Sequence, residues 1–229
     1  MPDALDQPLE PHNHASEETD VPASHAKARK RPKPGERRVQ ILQALASMLE
    51  QPGGERITTA ALAARLDVSE AALYRHFASK AQMFEGLIEF IEQTVFSLVN
   101  QIVEREQAVA DGATDLGARQ AVKIIAMLVQ FAEKNPGMAR VMVGDALVFE
   151  NERLIARMNQ FFDKIEATLK QCLRDGVGAG ASATPTVDAQ VRASVLSAFV
   201  GGRLQRFVRS GYKRLPSEHL DASLRVLLG

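Results

Sequence analysis

The sequence predicts an all-α protein, and three observations carry the prediction. Apolar residues recur every three or four positions through nine separate stretches. No stretch shows the strict alternation of a half-buried strand. Breaks rich in Gly and Pro, such as Pro52-Gly53-Gly54 and Asn135-Pro136-Gly137, separate several of the stretches.

The first helix opens at Glu36, with Val39, Leu42, Leu45, Ala46 and Leu49 on one face, and Pro52-Gly53-Gly54 stops it. A short helix runs from Thr59 to Leu66, its free N–H groups capped by Thr58 or Thr59. Asp67-Val68 makes a tight turn, and Ser69 caps a third helix from Glu70 to Phe77. Ser79 and Gln82 form a capping box for a fourth, longer helix that reaches about Glu106. Met83, Leu87, Ile91, Leu98 and Ile102 share one of its faces. Turn signals at Asp111–Thr114 precede an almost all-round apolar helix over 115–134, the pattern of a central buried helix. Asn135-Pro136-Gly137 breaks that helix. A short helix to about Phe149 and a longer one over 151–175 follow. GVGAGASATPT, 176–186, reads as a flexible loop. Helices over 187–211 and 217–228 close the chain.

Composition narrows the function classes. A chain of 229 residues with 45% apolar side chains buries a sizeable core. A single Cys excludes a disulfide framework and a cysteine-built metal site. No apolar run approaches the ~18 residues of a membrane span, and no signal pattern opens the sequence, so a cytoplasmic protein without a membrane partner is expected. The 28 Lys+Arg and 28 Asp+Glu cancel, but unevenly. Residues 1–26 hold six acids and no Lys or Arg, whereas 27–38 hold seven bases and only Glu36. Proline-rich and poor in large apolar side chains, residues 1–35 read as a disordered acidic and basic extension. Two domains follow: 36–83, carrying a helix-turn-helix, and 84–229, a helical dimerisation and partner-binding domain with 17 bases against 17 acids.

Residues 58–77, TTAALAARLDVSEAALYRHF, carry the strongest signal. Two short helices joined by a three-residue turn make a helix-turn-helix, with Leu62, Leu66, Val68, Leu73 and Phe77 as its small core. The second helix enters the major groove with its N-terminal residues, Ser69, Glu70, Ala71 and Ala72, towards the bases. Ala72 suits a thymine methyl, and Glu70 suits the amino group of cytosine. Thr58 and Thr59 offer hydroxyls and a helix N-terminus to the phosphates, and Tyr74, Arg75, His76 and Lys80 follow at spacings that also suit the backbone. A helical hairpin inside a larger bundle has the same apolar pattern. The eleven bases against five acids between Lys27 and Met83 favour DNA.

ITTAALAARL followed by SEAALYRHFASKAQMFEGL resembles the DNA-binding domain of TetR-family regulators over residues 36–88. The resemblance implies a three-helix DNA-binding domain on a larger helical dimerisation domain. Asp67 stands where many relatives place Gly, and Asp tolerates a left-handed backbone. EGLIEFIEQTV, EKNPGMARVMVGDALVFENERLIARMNQFFDKIEATLKQCLR and RLQRFVRSGYKRLP are similar to the SlmA-like nucleoid occlusion factors of that family, from about residue 36 to 216. The extension and the 176–186 loop are not. This branch implies a nucleoid-associated homodimer on palindromic double-stranded DNA, with higher-order assembly there. It also implies DNA-dependent antagonism of FtsZ polymerisation, through positions matching Phe90, Lys134 and Asn135. Leu98 and Gln130 depart from the branch's pattern. A ligand-responsive TetR-type repressor is the alternative.

Phe90 shares a stripe with Gly86, Gln93, Ser97 and Gln101, away from the apolar face of its helix. A Phe on a polar face is either covered by its own chain or offered to a partner. Ala189, Ala193, Ser197 and Gly201 form a small-residue stripe beside Val191, Val195 and Phe199, which allows close approach of a second helix. With 217–228 and its symmetry mates it builds a four-helix dimer interface, or else it packs within its own subunit. His12 and His14 read as a solvated pair, Cys172 as a core residue, and GVGAG follows a helix rather than a strand. No catalytic constellation, cofactor motif or metal site is expected.

Overall fold

The computed structural model describes residues 35–51, 56–109, 115–175 and 183–228. The extension up to residue 34, Pro52-Gly53-Gly54, the turn at 111–114 and residues 176–182 of the loop lie outside the described residues. Those described belong to one compact unit, Lys33–Gly229. Among them are nine α-helices and no strand. The helices are α1 (Glu36–Leu49), α2 (Thr59–Arg65), α3 (Glu70–Tyr74), α4 (Lys80–Val109) and α5 (Leu116–Lys134). They continue with α6 (Pro136–Met142), α7 (Glu152–Asp175), α8 (Pro185–Arg209) and α9 (Leu220–Leu228), and a 3₁₀ turn, Asp145–Leu147, lies between α6 and α7.

Helices α1 to α3 and the start of α4 form a small head. Its core is Leu45, Leu62, Leu73, Phe77 and Met83, all essentially without solvent contact. Side-chain caps start each short helix. Thr58 Oγ1 accepts from Ala61 N at 3.1 Å, and Ser69 Oγ accepts from Ala72 N at 3.3 Å. At α4, Ser79 Oγ accepts from Gln82 N at 3.2 Å. Gln82 Oε1 reaches back to Ala78 N at 2.9 Å, so the capping box closes one residue further out than its usual form. Asp67 makes the turn with φ 53, the left-handed conformation expected of it.

In the body α5 is central, with Ile124, Ile125, Leu128 and Val129 fully buried against α4, α7 and α8. Phe96, Phe161 and Phe162 meet edge to face, at centroid distances of 5.6 and 5.2 Å, and key α4 to α7.

Several element bounds differ from the sequence reading. Helix α3 closes at Tyr74, three residues early. Helix α6 closes at Met142, because Gly144 turns left-handed at φ 79. Helix α8 begins at Pro185 rather than after 186, since Pro fits a first helical position whose N–H has no partner anyway. His219, at φ 54, delays α9 to Leu220.

Head and body meet through several connections. Helix α4 runs unbroken across the expected 83/84 boundary. Helix α6 lies directly on α1: a Cβ on Gly137 would stand 2.0 Å from the Ala46 carbonyl oxygen, which demands Gly there. The exposed end of α1 is also held by the body. The Leu49 carbonyl accepts from Tyr212 Oη at 3.1 Å and from Arg140 Nη1 at 3.3 Å, satisfying an oxygen the helix itself leaves open.

Candidate nucleic-acid interface

The expected reading residues gather on one edge of the head. Ser69 is used as the α3 cap, which leaves Glu70 and Ala71 exposed on the first turn and Ala72 half-buried. Thr59 Oγ1 donates to Glu70 Oε2 at 2.5 Å, and Tyr74 Oη donates to Thr59 Oγ1 at 3.5 Å. This chain of hydroxyls and a carboxylate links the start of α2 to both ends of α3. It holds the two helices of the motif in register. Thr58, like Ser69, has its hydroxyl engaged as a cap. Arg75 and His76 are exposed.

Arg38, which the sequence reading counted only as charge in the basic arm, has a specific place. Its guanidinium lies over the Phe77 ring, 4.1 Å from the centroid, and Nη1 donates to the His76 carbonyl at 2.9 Å. One α1 side chain therefore fixes the segment that leaves α3. Nothing in the sequence around Arg38 signals this, because Phe77 is 39 residues away in the chain.

Lys80 departs from the expectation of an open phosphate contact. Its Nζ lies 2.5 Å from Glu150 Oε1, half-buried and 5.6 Å from the Phe84 ring. Arg56 Nε approaches the same oxygen at 3.7 Å. The segment between the 3₁₀ turn and α7 carries Glu150, its side chain only 8% exposed, over the start of α4. Lys80 is thus a clasp between head and body.

Phe90 is 45% exposed on α4, beside the exposed Gln93, Ser97 and Gln101. Gly86, placed on the same stripe from sequence, is instead buried under Phe77 and Leu42. Lys134 ends α5 exposed, while Asn135 is half-buried and donates Nδ2 to the Phe131 carbonyl at 2.8 Å. Asn135 therefore closes the C-terminus of α5 as well as sitting at the expected partner position.

The α8 stripe divides, and only its two alanines depart from the expected interface. Ala189 and Ala193 face the subunit's own core and are buried. Ser197, Gly201 and Phe199 are half-buried, and the Arg203 guanidinium covers the Phe199 ring at 4.5 Å. The outward apolar ridge is Val187, Val191 (56% exposed) and Val195 (43%), with Val226 of α9 at 85%. The helix phase turns Ala189 and Ala193 inward and the valines outward, whereas a Cβ on Gly201 would meet nothing within 4 Å.

Among the described residues no group of His, Cys, Asp or Glu is placed to hold a metal ion, and no helix is long and apolar enough to cross a membrane. His12 and His14 lie outside the described residues. Burial, then the charge of Asp175, pushes the Cys172 thiol up to about 11.

Residues 41–87 match the family of bacterial regulatory proteins, tetR family. Residues 118–228 match the SlmA-like family of tetracyclin repressor-like C-terminal domains. Nucleoid occlusion factor SlmA of Idiomarina loihiensis is 48% identical over 191 residues, covering 83% of this chain and 93% of that protein. Its counterpart in Aliivibrio fischeri strain ES114 is 49% identical over 191 residues, with the same coverage. The Shewanella oneidensis SlmA is 47% identical over 194 residues, covering 83% and 92%. Among solved structures, the transcriptional regulator FadR from Bacillus subtilis, in complex with stearoyl-CoA, aligns with TM-score 0.63 at 13% identity, covering 83% of this chain and 97% of that one. At that identity the likeness is one of fold.

Proposed function

The chain belongs to the TetR family and within it to the SlmA nucleoid occlusion factors, and from that membership we propose that it binds palindromic chromosomal DNA as a homodimer and, so bound, restrains septum assembly over the nucleoid. The partner is FtsZ, whose polymerisation the DNA-bound form antagonises. The observation that carries this reading is the single helix α4. One end lies under the helix-turn-helix and holds Lys80, and ten residues on the same helix offers Phe90 to solvent. A rigid rod joins the DNA-contacting head to a solvent-facing aromatic side chain.

The DNA role rests on Glu70 and Ala71 at the open start of α3, with Thr59, Tyr74, Arg75 and His76 around it. Dimerisation rests on Val191 and Val195, since two heads are needed for a two-fold symmetric site.

The test is FtsZ sedimentation with the full chain, with and without genomic fragments that the chain itself retains. Less FtsZ should pellet only when both protein and fragment are present. Phe90→Ala should keep DNA binding and lose this effect. Equal pelleting in all mixtures overturns the reading.

A ligand-released repressor is favoured by one observation. A cleft of about 710 Å³ lies between head and body, lined by Leu49, Ile57 and Phe84 on one side and Phe149, Val208 and Tyr212 on the other. A small molecule that raises the melting temperature and releases DNA would support that role.

A further inference from the structure

The body is neutral as a whole, yet its charge is not evenly spread. Residues 203–214 hold Arg203, Arg206, Arg209, Lys213 and Arg214 and no acid. Four of these five line a groove of about 580 Å³ at the end of α8, together with His219 and the single carboxylate of Glu218. That volume is within the range of small-ligand sites, ~300–1,000 Å³.

The groove is built before any ligand arrives. Arg203 donates to the carbonyls of Pro216 and Glu218, both at 2.7 Å, and to Ser223 Oγ at 2.8 Å. Its guanidinium also stacks on Phe199. At the other end of the loop Ser210 Oγ accepts from Lys213 N at 3.1 Å and Arg214 N at 2.9 Å. These bonds fix the backbone on which Lys213 and Arg214 stand. By contrast the Arg206, Lys213 and Arg214 side chains have no hydrogen bond or ion pair to an acid among the described residues. Glu218 leans to the His219 ring, 3.9 Å from Nε2, and is itself exposed.

Like charges gathered in a concavity focus a positive potential, and among the described residues Glu218 is the one carboxylate lining the groove against four cations. Burial, and next the charge of Arg206, lowers the pKa of Arg203, and Glu218 opposes them. An anion seated in the groove offsets the repulsion between these cations. The cations converge within one compact concavity rather than along a track. An extended acidic strand spreads its charges at ~3.3 Å per residue, whereas linked phosphates concentrate several charges in a small volume. Guanidinium forks also suit phosphate oxygens in bidentate pairs.

We propose that the groove between the end of α8 and α9 is a binding site for a compact polyphosphate anion, held by Arg206, Lys213 and Arg214 over the fixed Arg203. The site is separate from the helix-turn-helix and from Phe90, and the proposal is independent of the partner reading above.

The test uses the full chain and inorganic tripolyphosphate in isothermal titration calorimetry at low salt. Saturable binding at one site per chain is expected. The Arg206→Gln/Arg214→Gln double variant should bind at least ten times more weakly, with its melting temperature and DNA affinity unchanged. Arg225→Gln, an exposed base on α9 outside the groove, should bind as the parent does. Arg203 is left intact because it holds the loop. ATP in a parallel titration distinguishes free polyphosphate from a nucleotide, and whichever binds more tightly names the source. No saturable heat overturns the proposal. Equal affinity of parent and double variant also overturns it, since the anion would then sit on the basic head. Displacement of tripolyphosphate by a lower concentration of a Glu-rich decapeptide overturns it in favour of an acidic peptide.

Discussion

Lys80 at the first turn of α4 and Glu150 ahead of α7 join head to body through an ion pair of 2.5 Å, 70 residues apart in the chain. A lysine committed to a carboxylate is not available to a phosphate, so a Lys80 that serves DNA must first leave Glu150. Glu150→Gln keeps a hydrogen-bond acceptor and removes the charge. The variant is expected to bind DNA more tightly at low salt, with a salt dependence steeper by about one counterion. Lys80→Gln in the same background should cancel the gain. Fluorescence anisotropy over a salt series measures both. Identical slopes for parent and Glu150→Gln would remove Lys80 from the DNA contact.

Arg38 has two partners that Lys cannot serve in the same way. Its planar guanidinium stacks on Phe77 while Nη1 reaches the His76 carbonyl. Arg38→Lys keeps the charge and loses the stacked fork. The variant should lose ~1 kcal/mol of stability, the usual order of a surface cation–π contact and a hydrogen bond to a charged donor. Chemical denaturation checks this. DNA affinity should fall although the net charge is unchanged. Full retention of both would show that Arg38 acts only through its charge.

The nine helices were legible because their apolar period and their caps agree. Ser69 and Ser79 cap where the pattern places them, and of the two candidates Thr58 and Thr59 it is Thr58 that caps α2. Asp67 turns left-handed, as a short polar side chain allows. What the sequence does not carry is contact between distant elements. Nothing local to Lys80 points to Glu150, and nothing local to Arg38 points to Phe77. Asn135-Pro136-Gly137 reads as a break, but Gly137 is there because α6 presses on the backbone of α1. Gly86 looked like part of a polar stripe until the Phe77 ring was seen packed against it. The α8 stripe shows the same limit. Spacing of four identifies a face without saying whether it turns inward or outward.

That ambiguity on α8 yields a paired prediction. Val195 is exposed on the ridge and Ala193 is buried in the core. Val195→Glu should leave the fold intact and shift the chain from dimer to monomer. Ala193→Leu should overfill the core and lower stability by ~1–3 kcal/mol. Sedimentation velocity and thermal melting read the two effects separately. A Val195→Glu protein that stays dimeric at micromolar concentration would move the interface away from the valine ridge.

Glu106 near the end of α4 supplies a pH prediction. The carboxylate is buried and paired with Lys123 and with Arg119, the latter at 3.4 Å. The hydrogen bond from Lys123 is the leading cause that holds its carboxyl below the ordinary 4.5, and it outweighs the opposing effect of burial. A pKa lower in the folded state than in the unfolded chain means the fold prefers the charged form. The resulting stability is complete above the ordinary carboxylate pKa and is lost as pH falls through the folded value. Glu106→Gln has no proton to take up there. At pH 7 it should melt below the parent, since Lys123 and Arg119 lose their charged partner. As pH falls from 5 towards 3 the parent's melting temperature should drop more steeply, and the gap between the two should narrow. Lys123→Met should reduce the parent's acid sensitivity in the same window, because the leading cause of the shift is gone. The other carboxylates are common to all three proteins, so the difference between the curves isolates Glu106. Melting curves that run parallel from pH 7 to 3 would show that the pair contributes nothing to acid stability.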